Sequence, residues 1–263
     1  MSDSKLHWLI PLLLLTGVAA VLWFFLKDGE EPGPVASPAQ PVPAEARPAS
    51  PSYPLPPTES SPSDLIPLPP LDDSDEYFGL ALIDLFGADV DRLLVDEALI
   101  EKTANSIDNL TRSHVAERIR PLGSIAGPFL VDTRDGSDTY TLSQENYDRY
   151  TFLVNMLASA DTARLTETYR RFYPLLQQAY VNLGYPDGFF NDRVVEVIDH
   201  LLETPRPEDP ILLVRPHVLY QFADPKLEAL SSGQKLLLRM GETNAVRIKQ
   251  ILAELRPQVA AIG

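Results

Sequence analysis

Four residues in one stretch of the chain have the chemistry of a ligand-binding site: Arg170, Arg171, Tyr173 and Tyr185. Guanidinium groups donate hydrogen bonds to anions, and a tyrosine ring offers a face for stacking. These residues predict a partner-binding site for an anion or a carbohydrate. The favoured alternative is a core helix, because other residues of the stretch recur at steps of three and four: Leu165, Tyr169, Phe172, Leu176, Tyr180 and Leu183.

The helix that carries these residues contains a proline, Pro174. Proline cannot donate a hydrogen bond to the carbonyl of Arg170, and its ring crowds the preceding turn at a cost of about 3 kcal/mol or more. The sequence therefore predicts a kink or a break between Arg170 and Pro174. One arginine would then satisfy the freed carbonyls, and the other would pair with Glu167.

No catalytic, cofactor-binding or metal-binding motif stands out in the sequence, and we expect no cofactor. The four histidines are not paired at helical spacing. The acidic stretch 132–138 is better explained as a hairpin turn than as a calcium loop, since Val131 and Thr133 would occupy ligand positions. The chain has no cysteine, which excludes disulfides, thiolate zinc sites and a cysteine nucleophile.

Carboxylates are too abundant to identify an active site. Glu145, Glu167 and Glu196 lie on predicted helices beside apolar faces. A glycosidase would need one such glutamate in an apolar pocket that raises its pKa, with a second carboxylate at about 5 to 9.5 Å. A hydrolase that acts on peptidoglycan is therefore an alternative.

Charge is unevenly distributed along a chain whose net charge is −15. Residues 72–110 include 11 acidic and 2 basic residues, whereas residues 226–263 include 3 acidic and 6 basic ones. The net negative charge disfavours nucleic acid as a partner. The later segment predicts a basic face for an anionic lipid, wall polymer or protein, formed by Lys235, Arg239, Arg247 and Lys249. Solvated faces, or weak attraction between the two segments, are the favoured alternative.

The elements that must position these residues are mostly helices. Helices are predicted from Asp73, over 90–105, from Ser143 to Ser159, from Asp161 to Gly184 and from Asn191, with three further starts at Asp224, Ser232 and Thr243. An Asp-Gly pair within 129–142 predicts a hairpin, and 211–222 predicts a second strand pair. The predicted fold class is mainly α: an irregular multi-helix soluble domain with one or two short β-hairpins.

Two segments precede this domain, 72–263. Residues 8–26 are a run of 19 uncharged residues, about the length that crosses a bilayer, so we predict a single uncleaved transmembrane helix. The short tail, 1–7, is expected in the cytoplasm and the domain outside it. Between 32 and 70, 14 of 39 residues are proline, which predicts a disordered proline-rich linker over 27–71.

Several segments resemble the bacterial domain-of-unknown-function 3014 family: 169–186, Asp108–Leu110, Arg149–Tyr150 and 222–241. The resemblance spans about 72–255 and implies an envelope location in Gram-negative bacteria, with no assigned activity, cofactor or catalytic residue. With the predicted anchor, it leads us to expect a periplasmic binding or scaffolding protein of the inner membrane. Its partner would be an envelope protein or a cell-wall polymer.

Overall fold

The computed structural model describes residues 50–55, 67–123, 129–133, 138–208 and 210–260. The α-helices in these ranges are α1 (Asp75–Phe86), α2 (Leu99–Asn109), α3 (Gln144–Ser159), α4 (Thr162–Asn182), α5 (Phe190–Leu202), α6 (Pro225–Glu228), α7 (Ser232–Arg239) and α8 (Glu242–Val259). The strands are β1 (Val131–Thr133), β2 (Thr139–Leu142), β3 (Leu212–Val214) and β4 (Gln221–Phe222). Short 3-10 turns lie at Leu71–Asp73, Ala88–Leu93 and Glu117–Ile119.

Helix α4 is the central element of the core. It packs against α1, α2, α5 and α8, and five residues of its predicted stripe are buried: Leu165, Tyr169, Phe172, Leu176 and Tyr180. The sequence-based interpretation of this stripe as core is therefore confirmed. The helix continues through Pro174, so of the predicted kink or break the break is wrong. Burial of Phe172, Leu175 and Leu176 on both sides of the proline offsets its cost to the helix.

Helix α8 packs against four other helices of the domain. Its buried apolar residues, Ile248, Leu252, Leu255 and Val259, recur at steps of four, three and four and form one stripe. The helix packs against α3, α4, α5 and α7.

The second helix begins later than the sequence predicts. Residues 88–93 form a 3-10 turn, and α2 starts only at Leu99, after Ala98 at a positive φ of 53°. The carboxylate of Asp75 accepts hydrogen bonds from the amides of Ala98 and Leu99, each at 2.7 Å. A residue distant in sequence therefore caps α2, which local patterns do not reveal.

The predicted fold class was wrong in its β structure. The two predicted strand pairs join into one antiparallel sheet in the order β1-β2-β3-β4, because β2 also pairs with β3 through Tyr140 opposite Leu213. A small second core supports the sheet: Leu142, Leu213, Phe222 and Leu238. Hairpin signals are local, whereas β2 and β3 are separated by three helices, α3, α4 and α5.

The membrane-spanning part of the predicted fold finds no counterpart among the residues that the structure describes. In the described ranges, no helix is both long enough and apolar enough to cross a bilayer. The predicted segment, 8–26, lies outside those ranges together with the predicted tail.

Two pieces of the predicted linker, 27–71, contact the domain. Tyr53, Leu55 and Leu68 pack against the main core, and Leu71 is buried in it. The folded unit therefore includes residues that composition assigns to the linker, although most of that segment lies outside the described residues.

Candidate functional site

A cleft with a volume of about 490 Å³, named the larger cleft because the second cleft described below is smaller, lies between α3 and the first two turns of α8. The loop 204–207 forms a third wall. This volume is within the range of about 300 to 1,000 Å³ that accommodates small ligands or single groups of larger ones.

Gly241 sets how closely α8 approaches α3. The residue has φ of 84° and ψ of 156°, a conformation that is essentially restricted to glycine. A Cβ atom there would lie 2.7 Å from Cδ1 of Tyr147 on α3. Buried Asn244 strengthens the junction, because its amide donates to the carbonyls of Tyr147 at 2.9 Å and Met240 at 3.0 Å.

Three cations line this cleft: Arg206, Arg247 and Lys249. Arg206 pairs with Glu242. In contrast, Arg247 donates to the side-chain oxygen of Asn155, and Lys249 donates to the carbonyl of Thr204 at 2.7 Å. Partial burial lowers the pKa of Lys249.

The electrostatics of the larger cleft favour an anionic group. Asp148 and Glu242 are its only acidic residues among the described lining, so the side chains sum to +1. Helix α8 starts at the cleft without a side-chain cap, and its positive dipole end adds to the cations. A carboxylate or phosphate would find donors on two sides.

A second cleft of about 320 Å³ lies where α2 ends and α5 begins. At its base is the buried carboxylate of Asp108, which Arg193 contacts through Nε at 3.0 Å and Arg112 at 2.9 Å. The hydroxyl of Tyr185 donates to the same carboxylate at 3.1 Å and accepts from Arg112 at 2.9 Å. The side chains of Arg193, Arg112 and Tyr185 therefore hold this carboxylate in place.

The walls of this second cleft are aromatic and acidic. The ring of Tyr185 stacks on Tyr180 with centroids 4.6 Å apart. Burial, together with the charge of Asp108, raises the pKa of Tyr185. The lining includes Arg112 and Arg193 but four carboxylates, Asp108, Asp187, Asp192 and Glu196, and sums to −2. This cleft is unsuited to an anion.

The four predicted partner-binding residues have separate roles. Arg170 donates to the carbonyl of Gln258 at 3.3 Å, and Tyr173 donates to Gln177 at 2.9 Å. The guanidinium of Arg171 lies 5.8 Å from the ring centroid of Phe172. Of the four, Tyr185 lines the acidic cleft, and the other three line neither of the clefts described above. The structure does not bring the four together.

The predicted basic face is divided in the same way. Lys235 pairs with Glu228 at 3.0 Å. Arg239 lies 5.2 Å from the ring of Phe222, and burial lowers its pKa. The other two members, Arg247 and Lys249, line the larger cleft. Sequence reasoning missed Arg206 there and Arg112 and Arg193 in the acidic cleft, since single charged residues in loops or helix turns carry no pattern.

The carboxylates with raised pKa values lie away from both clefts. Burial raises the pKa of Asp91 and of Glu101, and neither residue lines a cleft described above. A hydrogen bond from Ser143 lowers the pKa of Glu145. Among the residues described, no cluster of three or more histidine, aspartate or glutamate side chains could hold a metal ion.

The fold and clefts define a class: a mainly helical domain with a small antiparallel sheet and, among the described residues, clefts lined partly by charged side chains. The family described as "Protein of unknown function (DUF3014)" matches residues 99–256, and the chain belongs to this family. Both clefts lie within the match. Searches of curated proteins and of solved structures find no match to the chain.

The segments that carry the family resemblance meet in the structure. The amides of Ser232 and Gly233 donate to the carbonyls of Arg112 and Leu110 at 2.7 and 3.0 Å. Gly233 is required for this approach, because a Cβ atom there would lie 2.9 Å from the Leu110 carbonyl oxygen. Tyr185 reaches Asp108 from the other side. These segments therefore join α2, α4 and α7.

Proposed function

We propose that this protein is a membrane-tethered binding or scaffolding module of the bacterial cell envelope, and that its larger cleft binds an anionic group of an envelope protein or a cell-wall polymer. The observation that carries the proposal is the pair Arg247 and Lys249. Both line the cleft, and both have neutral oxygens as hydrogen-bond partners. Their charges remain able to attract a ligand.

The chemistry of this pair suits a carboxylate or a phosphate. A guanidinium binds either group through two parallel hydrogen bonds, and a lysine adds a point charge. The partly buried position of Lys249 strengthens such an interaction, since a lower local dielectric reduces screening.

The tethered location rests on the sequence. The apolar run 8–26 would hold the chain at the inner membrane, with the tail 1–7 in the cytoplasm and the domain in the periplasm. A proline-rich segment between them would let the domain reach a partner away from the bilayer.

A photocrosslinking experiment in intact cells tests the proposed site. Val246 lines the larger cleft and is 40% exposed, so Val246→p-benzoylphenylalanine places a crosslinker at its mouth. We expect a specific adduct there and none from Tyr77→p-benzoylphenylalanine, a site on α1 that is 42% exposed. Mass spectrometry of the adduct identifies a protein or a glycan.

Charge reversal then tests the two cations. We expect Arg247→Glu with Lys249→Glu to reduce the Val246 adduct at least about tenfold, since two attractive contacts become repulsive. Arg92→Glu with Lys226→Glu, at exposed positions outside the clefts, is the matched control and should leave the adduct unchanged. Retention of the adduct in the first variant would refute the proposed role of the cleft.

The alternative, a peptidoglycan hydrolase, stays a prediction. It needs a glutamate of raised pKa beside a second carboxylate in a cleft. Glu101 has the raised pKa but does not line a cleft described above. The binding function is therefore better supported.

A further inference from the structure

A short segment of the predicted linker is seated on the start of α5. The amides of Ser52 and Tyr53 donate to the two carboxylate oxygens of Asp192 at 2.9 and 2.8 Å. The carbonyl of Tyr53 accepts from the side-chain amide of Asn191 at 2.7 Å. The guanidinium of Arg256 lies 5.8 Å from the Tyr53 ring centroid. The domain thus contacts the main-chain donors and acceptor of this segment, and it also contacts the side chains of Tyr53 and Leu55.

The domain holds these receptor groups in place through its own contacts. Asn191 is only 1% exposed, and its amide also donates to the carbonyl of Val259 while its oxygen accepts from the hydroxyl of Tyr169. Arg256 forms a two-point ion pair with Asp199 at 2.8 and 2.9 Å. The site is therefore preorganised, which lowers the entropy lost when a peptide binds.

We propose that Asn191, Asp192 and Arg256 form a receptor site for an extended tyrosine-proline peptide, and that its occupant is the chain's own segment 52–55. The site is distinct from the larger cleft and does not depend on the function proposed for it. Its ligand is recognised by two main-chain donors, one main-chain acceptor and an aromatic ring.

The sequence of the segment suits this mode of binding. Tyr53 precedes Pro54, and a residue before proline is restricted to extended conformations. Pro51 restricts the other side. A segment that is already extended loses little freedom when it docks, as in other recognition of proline-rich peptides.

Docking shortens the tether reversibly. With Ser52 bound, 25 residues (27–51) separate the predicted membrane segment from the docked residue, and a proline-rich chain of that length would reach at most about 80 Å at about 3.1 Å per residue. Release of the docked segment would let residues 52–66, another 15 residues, add up to about 45 Å to this reach. Together with the proposed membrane anchor, on which this step rests, the site acts as a latch that sets how far the domain can move from the bilayer.

Hydrogen exchange of the full-length chain tests the latch. We expect the amides of Ser52 and Tyr53 to exchange at least about tenfold more slowly in the wild type than in Asp192→Ala, which removes their acceptor. Tyr53→Ala should accelerate exchange at Ser52 and leave the folded domain intact. The control, Asp187→Ala, changes a nearby exposed carboxylate and should behave as the wild type.

A peptide titration tests the receptor site separately. A synthetic peptide with the sequence of residues 51–55 should bind Tyr53→Ala at least about tenfold more tightly than the wild type, whose own segment competes at a high effective concentration. In the exchange experiment, amides of Ser52 and Tyr53 that exchange in the wild type as fast as in an unfolded chain would refute the proposed latch. NMR measures the binding of this peptide at concentrations up to about millimolar. Equal affinity for the two chains, or no binding to either, would refute the proposed receptor site.

Discussion

Asp108 shows how a single buried charge can organise a surface cleft. Its carboxylate receives Arg193, Arg112 and Tyr185, and its carbonyl receives a further hydrogen bond from Arg193 at 2.5 Å. These partners come from the end of α2, the turn after α4 and the first turn of α5. The residue therefore connects three elements, and its contribution is structural.

Loss of this charge should destabilise the domain. In Asp108→Asn, Arg193, whose side chain is only 13% exposed, loses a charged partner, and we expect the free energy of unfolding to fall by about 3 kcal/mol. Urea denaturation measures the change. Asp84→Asn, which breaks the exposed pair with Arg164, should cost less than about 1 kcal/mol. Similar values for the two variants would contradict the structural role of Asp108.

The environment of Glu101 predicts that the stability of the domain depends on pH. Burial, with the charges of Asp75 and Asp72, raises its pKa above the ordinary value of 4.5, and its Oε2 is buried without a hydrogen-bond partner among the described residues. The folded state thus binds the proton more tightly than the unfolded state. This contribution to stability is present below pH 4.5 and is lost as the pH rises through the raised pKa.

Glu101→Gln should remove the loss of stability that ionisation of Glu101 causes as the pH rises. We expect the variant to be more stable than the wild type at neutral pH and equally stable near about pH 4, where both states are protonated. Urea denaturation across this pH range measures the difference. Glu97→Gln, an exposed change in the preceding turn, should leave the profile unchanged. A Glu101→Gln profile parallel to the wild type would count against burial as the cause.

At the scale of elements, residue patterns that recur within one helix or one hairpin predict the structure correctly. The stripe on α4 identified the core because its residues recur at helical spacing. The break at Pro174, the start of α2 and the pairing of β2 with β3 were predicted wrongly or missed, because each depends on contacts between distant segments. Asp75 capping Leu99 is one such contact.

Gly241 links two elements and gives a sharp test of their packing. We expect Gly241→Ala to lower the free energy of unfolding by about 2 kcal/mol or more, since alanine resists this backbone conformation and its Cβ would overlap Tyr147. Gly79→Ala, in the interior of α1 with no atom within 4 Å of the added Cβ, should instead stabilise by about 0.5 to 1 kcal/mol. Thermal unfolding compares them. A neutral Gly241→Ala would show that α8 does not approach α3 so closely.

At the scale of the whole molecule, charge divides between the two clefts. The sequence predicted a basic region late in the chain, and two of its members, Arg247 and Lys249, line the larger cleft. It did not predict that Lys235 and Arg239 would lie elsewhere, or that Arg206 would join the cleft. Side-chain types are visible in a sequence, but convergence on one cleft depends on the fold.

The absence of cysteine allows a direct test of topology. A single substitution, Ser113→Cys at an exposed position, should react with a membrane-impermeant maleimide in cells whose outer membrane is permeabilised, because we expect the domain in the periplasm. Ser4→Cys in the predicted cytoplasmic tail should react only after the inner membrane is also opened. If Ser4→Cys is labelled and Ser113→Cys is not while the inner membrane is intact, the orientation is the reverse of the one proposed.

The position of α8 also constrains the order of folding during synthesis. This helix covers apolar surface on α3, α4 and α5, all made before it, and those helices cannot complete their burial until α8 has emerged. A nascent chain that has reached α7 still exposes the groove that α8 will fill. Chaperones that recognise apolar surface would therefore engage this protein late, and any delay at α8 would prolong the interval in which it can aggregate.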